Sequence, residues 1–236
     1  MKGNLYLIPT SLGDSDLNRV LPDQSLNIIN QITHYIVENI RTARRFLVKA
    51  RIEHKIDDLT FYELNKHSKP RDYHSYLSAV LKGEHIGIIS EAGCPGIADP
   101  GADIVEIAHE MNIKVVPMVG PSSIFLALMA SGMNGQSFAF NGYLPIKNPQ
   151  RVKQLKNDEL RSKSENQSQI YIEAPYRNRA LLADMLEQLK PATKLCIAVD
   201  ITLETELIKT KTVKDWKKKV PEINKRPAIF IVHANR

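Results

Sequence analysis

The sequence predicts an α/β protein with two α/β domains, a mainly parallel sheet in the first and a mixed sheet in the second. In the first half, short apolar runs alternate with segments of helical periodicity, which favours parallel strands covered by helices. In the second half, two strand candidates are joined by too few residues for a crossover helix, so they are expected to pair antiparallel. Two prolines and a glycine within residues 117–121 place the boundary between domains of residues 1–117 and 118–236.

In the first domain, strands are predicted where apolar residues form short runs bounded by turn residues. These are residues 5–8, 34–37, 60–64, 86–89 and 114–116. Helices are predicted where apolar residues recur every three or four positions. These are a helix that is opened by Pro22 and Asp23 and runs to residue 32, and residues 41–50, 71–81 and 103–111. The helix at residues 41–50 carries several arginines on its polar face.

In the second domain, the same criteria predict five strands and four helices. The strands are residues 137–140, 169–173, 195–199, 204–208 and 228–232. The helices are residues 124–130, 151–163, 180–189 and 212–220. The first of these helices is apolar on all sides, so we expect it to be buried.

Composition restricts the class of protein. The 236 residues are 43% hydrophobic and 25% charged, which is typical of a chain that buries a full core. No apolar run approaches the ~20 residues that a membrane-spanning helix needs. With only two cysteines there is neither a disulfide framework nor zinc-ligand spacing, so we expect a cytoplasmic protein without a metal or a membrane partner. The net charge of +6 admits a polyanionic partner such as RNA without requiring one.

Residues 90–101 form the most distinctive segment, which reads Ser-Glu-Ala-Gly-Cys-Pro-Gly-Ile-Ala-Asp-Pro-Gly between a predicted strand and a predicted helix. Glycines let a ligand approach the backbone, and prolines stiffen the loop. Ligands of open α/β sheets bind at the carboxyl ends of strands. We therefore interpret this segment as the floor of a small-molecule site. The alternative is a stiff connection that binds nothing.

Two motifs that would indicate other cofactors are absent from the sequence. There is neither a G-x-G-x-x-G fingerprint nor a G-x-x-x-x-G-K-[ST] loop, which argues against a nicotinamide dinucleotide or a nucleoside triphosphate bound in the usual way. Several other predicted strands also end in distinctive loops. If the strands are parallel, these loops meet on one side of the sheet and form a cleft of backbone amides and small hydroxyls.

Four ordered motifs resemble the tetrapyrrole methylase superfamily, and most closely its branch that methylates a ribose 2′-hydroxyl of small-subunit (16S) ribosomal RNA. The motifs are residues 90–101, 119–123 (Val-Gly-Pro-Ser-Ser), 140–145 (Phe-Asn-Gly-Tyr-Leu-Pro) and 173–177 (Glu-Ala-Pro-Tyr-Arg). The resemblance implies S-adenosylmethionine bound in a cleft between two domains, S-adenosylhomocysteine as product, and a homodimer. The positions expected to contact the cofactor are Pro9, Glu91, Ala92, Gly93, Cys94, Ile97, Asp99, Ser122, Ser123, Leu144, Ala174, Pro227 and Ala228.

The function that this resemblance implies is S-adenosylmethionine-dependent methylation of rRNA, free or in the 30S subunit. A ribose hydroxyl is a weak nucleophile that benefits from a base or an oriented cation. The catalytic candidates are Glu38, Asn39, Arg41 and Glu173, and the RNA-binding candidates are Arg41, Arg44 and Arg45. For the charged catalytic candidates, a structural ion pair at a loop end is an equal alternative.

Two other functions remain open. The same cofactor would serve methylation of a tetrapyrrole or another small metabolite. A catalytically silent cofactor-binding protein is the third alternative, since Asn39 stands where the rRNA branch has an acid. Two residues also have competing roles. Asp99 suits either a cofactor ligand or a helix cap. Cys94 could be a nucleophile, although no histidine has an obvious partner role.

Overall fold

The computed structural model describes residues 2–234. This part of the chain divides into two compact units, one ending at Ser122 and the other beginning at Ser123. The domain boundary predicted after residue 117 lies five residues before the division between these two units. It stays a prediction. Between residues 2 and 234, none of the helices combines the length and the apolar character that crossing a bilayer requires.

The first unit contains a five-stranded sheet in the order β3-β2-β4-β1-β5, and all its pairings are parallel. The strands are β1 (Asn4–Ile8), β2 (His34–Val37), β3 (Thr60–Glu63), β4 (Ile86–Ile89) and β5 (Lys114–Pro117). The central strand β4 is buried at every residue, as expected when helices cover both faces of a parallel sheet. The predicted mainly parallel sheet is confirmed.

Helices cover both faces of this sheet. They are α1 (Asp23–Ile29), α2 (Ile40–Lys49), α3 (Tyr73–Tyr76), α4 (Ser78–Leu81) and α5 (Gly101–Glu110), with short 3-10 turns at Leu17–Arg19, Ile56–Asp58 and Pro70–Asp72. The core on one face joins Ile36 to α5, and the core on the other joins Tyr35 to Leu47 of α2. Neighbouring strand residues point to opposite faces, so β2 contributes to both cores.

The helix predicted at residues 71–81 is wrong as a single element. It is a 3-10 turn followed by α3 and α4, which meet at Leu77. The Leu77 amide donates to the carbonyl of His74, three residues earlier, at 3.3 Å. This tighter turn interrupts the α-helical ladder and keeps both Leu77 and Val80 fully buried.

The second unit contains a five-stranded mixed sheet in the order β6-β7-β10-β8-β9, as predicted. The strands are β6 (Phe138–Tyr143), β7 (Ser168–Ile172), β8 (Lys194–Val199), β9 (Leu207–Thr212) and β10 (Ala228–His233). Strands β6 and β7 pair parallel, and the other pairings are antiparallel. The helices are α6 (Ser123–Ser131), α7 (Asn148–Glu165), α8 (Asn178–Gln188) and α9 (Val213–Trp216), with a 3-10 turn at Pro175–Arg177.

The antiparallel pairing of β8 with β9 is confirmed, but β9 begins three residues later than the strand predicted at residues 204–208. A turn occupies the intervening segment. The Asp200 carboxylate accepts from the Thr205 hydroxyl at 2.7 Å, and both Asp200 and Thr202 have positive φ. The helix predicted at residues 212–220 is also shorter, since α9 ends at Trp216.

The prediction that the apolar helix at residues 124–130 is buried is wrong for one of its faces. Ile124, Ala127 and Leu128 are buried, whereas Phe125 is 55% exposed and Met129 79% exposed. These two residues are four positions apart and lie on the same side of α6. The ring of Phe125 contacts that of Phe138 in β6 edge-to-face, with centroids 6.0 Å apart.

Candidate functional site

The loops after β1 and β4 are joined by a two-residue bridge at the carboxyl end of the first sheet. The Thr10 amide donates to the Gly93 carbonyl at 3.0 Å, and the Gly93 amide donates to the Thr10 carbonyl at 3.3 Å. The buried Ser90 hydroxyl also donates to the Gly93 carbonyl, at 2.8 Å. These bonds hold the start of the 90–101 segment against the loop that follows β1.

The same segment turns back on itself around Asp99. One oxygen of its carboxylate accepts from the amides of Gly96 and Gly101, both at 2.8 Å. Burial raises the pKa of Asp99, and these two hydrogen bonds partly oppose the rise. Because Gly101 is the first residue of α5, the contacts favour the cap over the cofactor ligand for this side chain.

Glu38 lies at the carboxyl end of β2, half-buried and close to two other carboxylates. Burial and the nearby charge of Asp99 raise its pKa, the charge of Glu91 adds to the rise, and a hydrogen bond from the Glu91 backbone opposes it. Glu91 is itself held by the Thr42 hydroxyl, which lies 2.5 Å from its carboxylate. A carboxylate that is costly to keep charged is a stronger proton acceptor than an exposed one.

Asn39 is the N-cap of α2. Its side-chain oxygen accepts from the amides of Arg41 at 2.9 Å and Thr42 at 3.2 Å. This engagement explains the residue structurally, because an asparagine satisfies two helix amides that otherwise lack a partner. Its acceptor oxygen is therefore already occupied by two backbone amides. A catalytic role for Asn39 stays a prediction.

Other predicted cofactor contacts in the first unit differ in exposure. Ala92 and Glu91 are exposed, and Ile97 is 52% exposed. Pro9 is buried, and a Cβ on Gly120 would lie 2.3 Å from its ring. The Cys94 thiol donates to the Pro121 carbonyl at 3.4 Å. Burial raises the thiol pKa, which opposes a nucleophilic role.

In the second unit, Glu173 is buried and paired. Its carboxylate accepts from Nε of Arg177 at 2.8 Å, from Nη2 at 2.5 Å, and from the Ala174 amide at 2.7 Å. The side chain of Glu173 is only 2% exposed. The arrangement matches the structural alternative, an ion pair at a loop end that fixes the backbone at Ala174. A catalytic role for Glu173 stays a prediction.

The start of β10 lies beside the loop that contains Ala174. The Lys225 amide donates to the Pro175 carbonyl at 3.1 Å, and the Asn178 side chain donates to the Arg226 carbonyl at 2.6 Å. The predicted contacts in this unit therefore form a group of adjacent backbone segments. Leu144 and Ala228 bury their side chains in one core, so their backbone atoms are the parts available to a ligand. The remaining positions, Ser122 and Ser123, are partly exposed next to each other where α6 begins.

The chain matches no family model. It is 28% identical over 236 residues to ribosomal RNA small subunit methyltransferase I of Vibrio cholerae, covering 98% of this chain and 77% of that protein. It is 30% identical over 200 residues to the protein of the same name from Synechocystis sp., covering 85% of this chain and 67% of that protein. The chain belongs to the ribosomal RNA small subunit methyltransferase I family.

Solved structures show the same fold at lower identity. The methyltransferase CobJ superposes with a TM-score of 0.65 and 15% identity, covering 98% of this chain and 94% of that one. Uroporphyrin-III C-methyl transferase from Thermus thermophilus, solved with S-adenosyl homocysteine, superposes with a TM-score of 0.56 and 13% identity, covering 98% and 97%. The fold of this member of the ribosomal RNA small subunit methyltransferase I family is therefore established.

The predicted RNA-binding arginines of this family member are exposed on α2, directly after Glu38. Arg44 lies 3.9 Å from Asp57 and places its guanidinium 5.5 Å from the centre of the Phe61 ring. Among residues 2–234, Arg41 and Arg45 have no ion-pair partner. These two guanidiniums remain available to an anionic partner, whereas Arg44 is partly engaged by the protein.

Sequence reasoning missed several residues of this region. Thr42 was not singled out, although it links α2 to Glu91. Lys66 and His67, in the loop after β3, line a groove that Glu38 also lines. The signal that could have identified Lys66 and His67 is their place in a polar loop at the carboxyl end of a predicted parallel strand. Within the described range, no group of three or more His, Cys, Asp or Glu side chains is arranged to hold a metal ion.

Proposed function

We propose that this chain transfers a methyl group from S-adenosylmethionine to a ribose 2′-hydroxyl of small-subunit rRNA. The observation that carries the proposal is its membership, over nearly the whole chain, in the family of ribosomal RNA small subunit methyltransferase I. One of its structural neighbours supports the cofactor, since that protein was solved with S-adenosyl homocysteine.

The residues present fit this cofactor. Between Ser90 and Asp99 the exposed residues are Glu91, Ala92, Ile97 and Ala98, and the bridge between Thr10 and Gly93 fixes the start of the segment. Gly93 is buried, and a Cβ there would lie 3.4 Å from the Pro121 carbonyl and 3.2 Å from Leu12, so the absence of a side chain lets the loop pass close to these neighbours. When bound, S-adenosylmethionine supplies a methyl group whose bond to sulfur breaks with the electron pair left on sulfur, giving S-adenosylhomocysteine.

In this proposal Glu38 accepts the proton of the ribose hydroxyl. It is half-buried at a strand end, and its raised pKa makes it a stronger proton acceptor than an exposed carboxylate. Methyl transfer otherwise depends on aligning the donor and the acceptor, so little further acid–base machinery is needed.

We also infer that Arg41, Arg44 and Arg45 contact the phosphate backbone of the RNA. They follow Glu38 by three to seven positions and lie exposed on one helix. Arginine is well suited to phosphate because its planar guanidinium donates two parallel hydrogen bonds. A cytoplasmic location follows from the substrate, since ribosomal subunits are assembled there.

A homodimer belongs to the same proposal. On α6, Phe125 and Met129 lie on the same side of the helix and are 55% and 79% exposed. Exposed aromatic and methionine side chains that lie close together are typical of protein interfaces. A second copy of this chain is the partner we expect to cover them.

The test is single-turnover transfer of labelled methyl from S-adenosylmethionine to three acceptors: undermodified 30S subunits, naked 16S rRNA and a precorrin-like tetrapyrrole. We expect label in a ribose of the RNA, located by nuclease digestion and mass spectrometry. Transfer to the tetrapyrrole alone would favour the metabolite alternative. Cofactor binding without transfer to any acceptor would favour the catalytically silent protein.

A further inference from the structure

A groove with a volume of about 670 Å³ opens at the carboxyl ends of β2 and β3 in the first unit. Glu38 lines it from the end of β2, Lys66, His67 and Ser68 from the loop after β3, Tyr73 from α3, and Pro100 from the start of α5. We call it the Glu38 groove. Its volume is that of a site for a ligand the size of a nucleotide.

The loop on one side of the groove is held by its own hydrogen bonds. The Asn65 amide donates to the Ser68 hydroxyl at 2.9 Å, and the His67 amide donates to the Asn65 side chain at 2.9 Å. The Ser68 hydroxyl donates in turn to the Glu63 carbonyl at 2.8 Å. The backbone that carries Lys66 and His67 is therefore held in a fixed turn. Binding a ligand there requires ordering only their side chains, which lowers the entropy cost of binding.

The groove is lined by both basic and acidic residues. The side chains of Lys66 and His67 are exposed, and within the described range neither has a hydrogen-bond or ion-pair partner. The half-buried Glu38 carboxylate lines the same groove, and its pKa is raised. A ligand that suits this arrangement has an anionic part for the lysine and the histidine, and a hydroxyl for the carboxylate.

We propose that the Glu38 groove receives the target nucleotide of the RNA, with a phosphate on Lys66 and His67 and the ribose hydroxyl at Glu38. This inference rests on the proposed function and names the part of the chain that holds the acceptor. The hydroxyl proton passes to a Glu38 oxygen as the ribose oxygen forms its bond to the methyl carbon. Lys66 and His67 are positioning residues, since they contact the phosphate and not the reacting atoms.

The test compares two double variants. One combines Lys66→Ala with His67→Ala and removes the proposed phosphate contacts. The matched control combines Lys69→Ala with His74→Ala, which removes the same residue types from exposed positions of the same segment that do not line the groove. Affinity for undermodified 30S subunits is measured at several salt concentrations, and affinity for S-adenosylhomocysteine is measured by calorimetry.

We expect the groove variant to bind 30S subunits about tenfold more weakly, with a salt slope smaller by about one for the lost phosphate contact of Lys66. Its affinity for S-adenosylhomocysteine is expected to match the wild type, and the control is expected to match the wild type in both measurements. Glu38→Gln is expected to bind the subunit normally and to lose transfer, because it removes the proton acceptor and not the phosphate contact.

Two results would overturn the inference. If the wild type transfers methyl to the RNA while the groove variant binds 30S subunits as tightly as the wild type, the nucleotide lies elsewhere and only this inference fails. An equal loss in both double variants would show a general effect of charge and would also overturn it. If the wild type neither binds nor methylates the RNA, the proposed function fails as well.

Discussion

The Glu38 carboxyl group is charged in the folded protein at a cost, because burial and the nearby Asp99 charge both raise its pKa. A carboxyl group whose folded pKa is raised contributes stability that is fully present below its unfolded pKa, about 4.3. That contribution is lost as pH rises through the folded pKa. The residue proposed as the base therefore destabilises the fold at the pH at which it works.

We accordingly expect Glu38→Gln to be at least as stable as the wild type at pH 7.5 and to show no advantage near pH ~3, well below the unfolded pKa, where both side chains are neutral. Urea unfolding at the two pH values measures the difference. Methyl transfer is expected to fall by about 10² to 10⁴, the range for loss of a general base. A variant less stable than the wild type at pH 7.5 would contradict this account of the raised pKa.

Ala92 offers a more informative probe of the cofactor site than Gly93. Gly93 has φ of +77° and close neighbours, so Gly93→Val would strain the loop whether or not a ligand binds there. Ala92 is exposed and precedes it. We expect Ala92→Leu to weaken S-adenosylhomocysteine binding about tenfold, or about 1.4 kcal/mol, by calorimetry.

The matched control is Ala192→Leu, an exposed alanine in the turn before β8 in the other unit. It is expected to bind S-adenosylhomocysteine as the wild type does and to unfold at the same temperature. Unchanged binding by Ala92→Leu, in a variant shown to be folded, would place the cofactor away from residues 90–101.

At the scale of the element, the sequence predicted the bounds of α2 but not the residue that caps it. Its apolar spacing predicted the helix within one residue at each end, and Ala43 and Leu47 are buried as that spacing requires. Asn39 looked like a departure in a catalytic motif, yet its side chain caps the helix. The sequence alone does not show this cap, because it depends on where folding places the amides of Arg41 and Thr42.

We expect Asn39→Ala to lower the free energy of unfolding by about 1 kcal/mol, because two amides of α2 lose their acceptor. Asn39→Asp is expected to keep the wild-type stability, since a carboxylate caps a helix and suits its positive end. Chemical denaturation measures both variants. Equal stability of Asn39→Ala and the wild type would show that the cap contributes nothing to stability.

Several polar residues of helix α7 are buried, among them Asp158, Glu159 and Ser162. The Asp158 carboxylate accepts from the hydroxyl of the buried Tyr171 at 2.9 Å, and Glu159 accepts from the Lys190 amide at 2.8 Å. Burial and the Asp158 charge raise the pKa of Tyr171 well above its ordinary value. The sequence shows no such partnership, because the bonded residues lie 13 and 31 positions apart.

At the scale of the whole molecule, the exposed face of α6 predicts the oligomeric state. Phe125→Asp combined with Met129→Asp is expected to convert a dimer into a monomer, measured by sedimentation equilibrium. Each buried interface residue of this kind contributes about 2 kcal/mol, which is roughly thirtyfold in the dissociation constant.

Leu160→Asp is the matched control for the dimer, since Leu160 is also an exposed apolar residue on a helix of the same unit, at 58% exposure. It is expected to leave the dimer intact. A wild-type protein that sediments as a monomer, or a double variant that remains dimeric, would contradict the assignment of this face as the interface.

The sequence alone determined the two α/β sheets, most of their strands and helices, and the family. Hydrophobic periodicity depends only on residues that are near one another in the sequence, and the order of motifs along the chain is part of the sequence itself. Only the tertiary structure decided which polar side chains already have a hydrogen-bond or ion-pair partner within the protein. Asn39 caps a helix, Glu173 is locked by Arg177, and Asp99 holds a glycine loop, whereas Lys66 and His67 face a groove. A side chain's availability depends on neighbours brought near by folding, and spacing along the chain does not encode them.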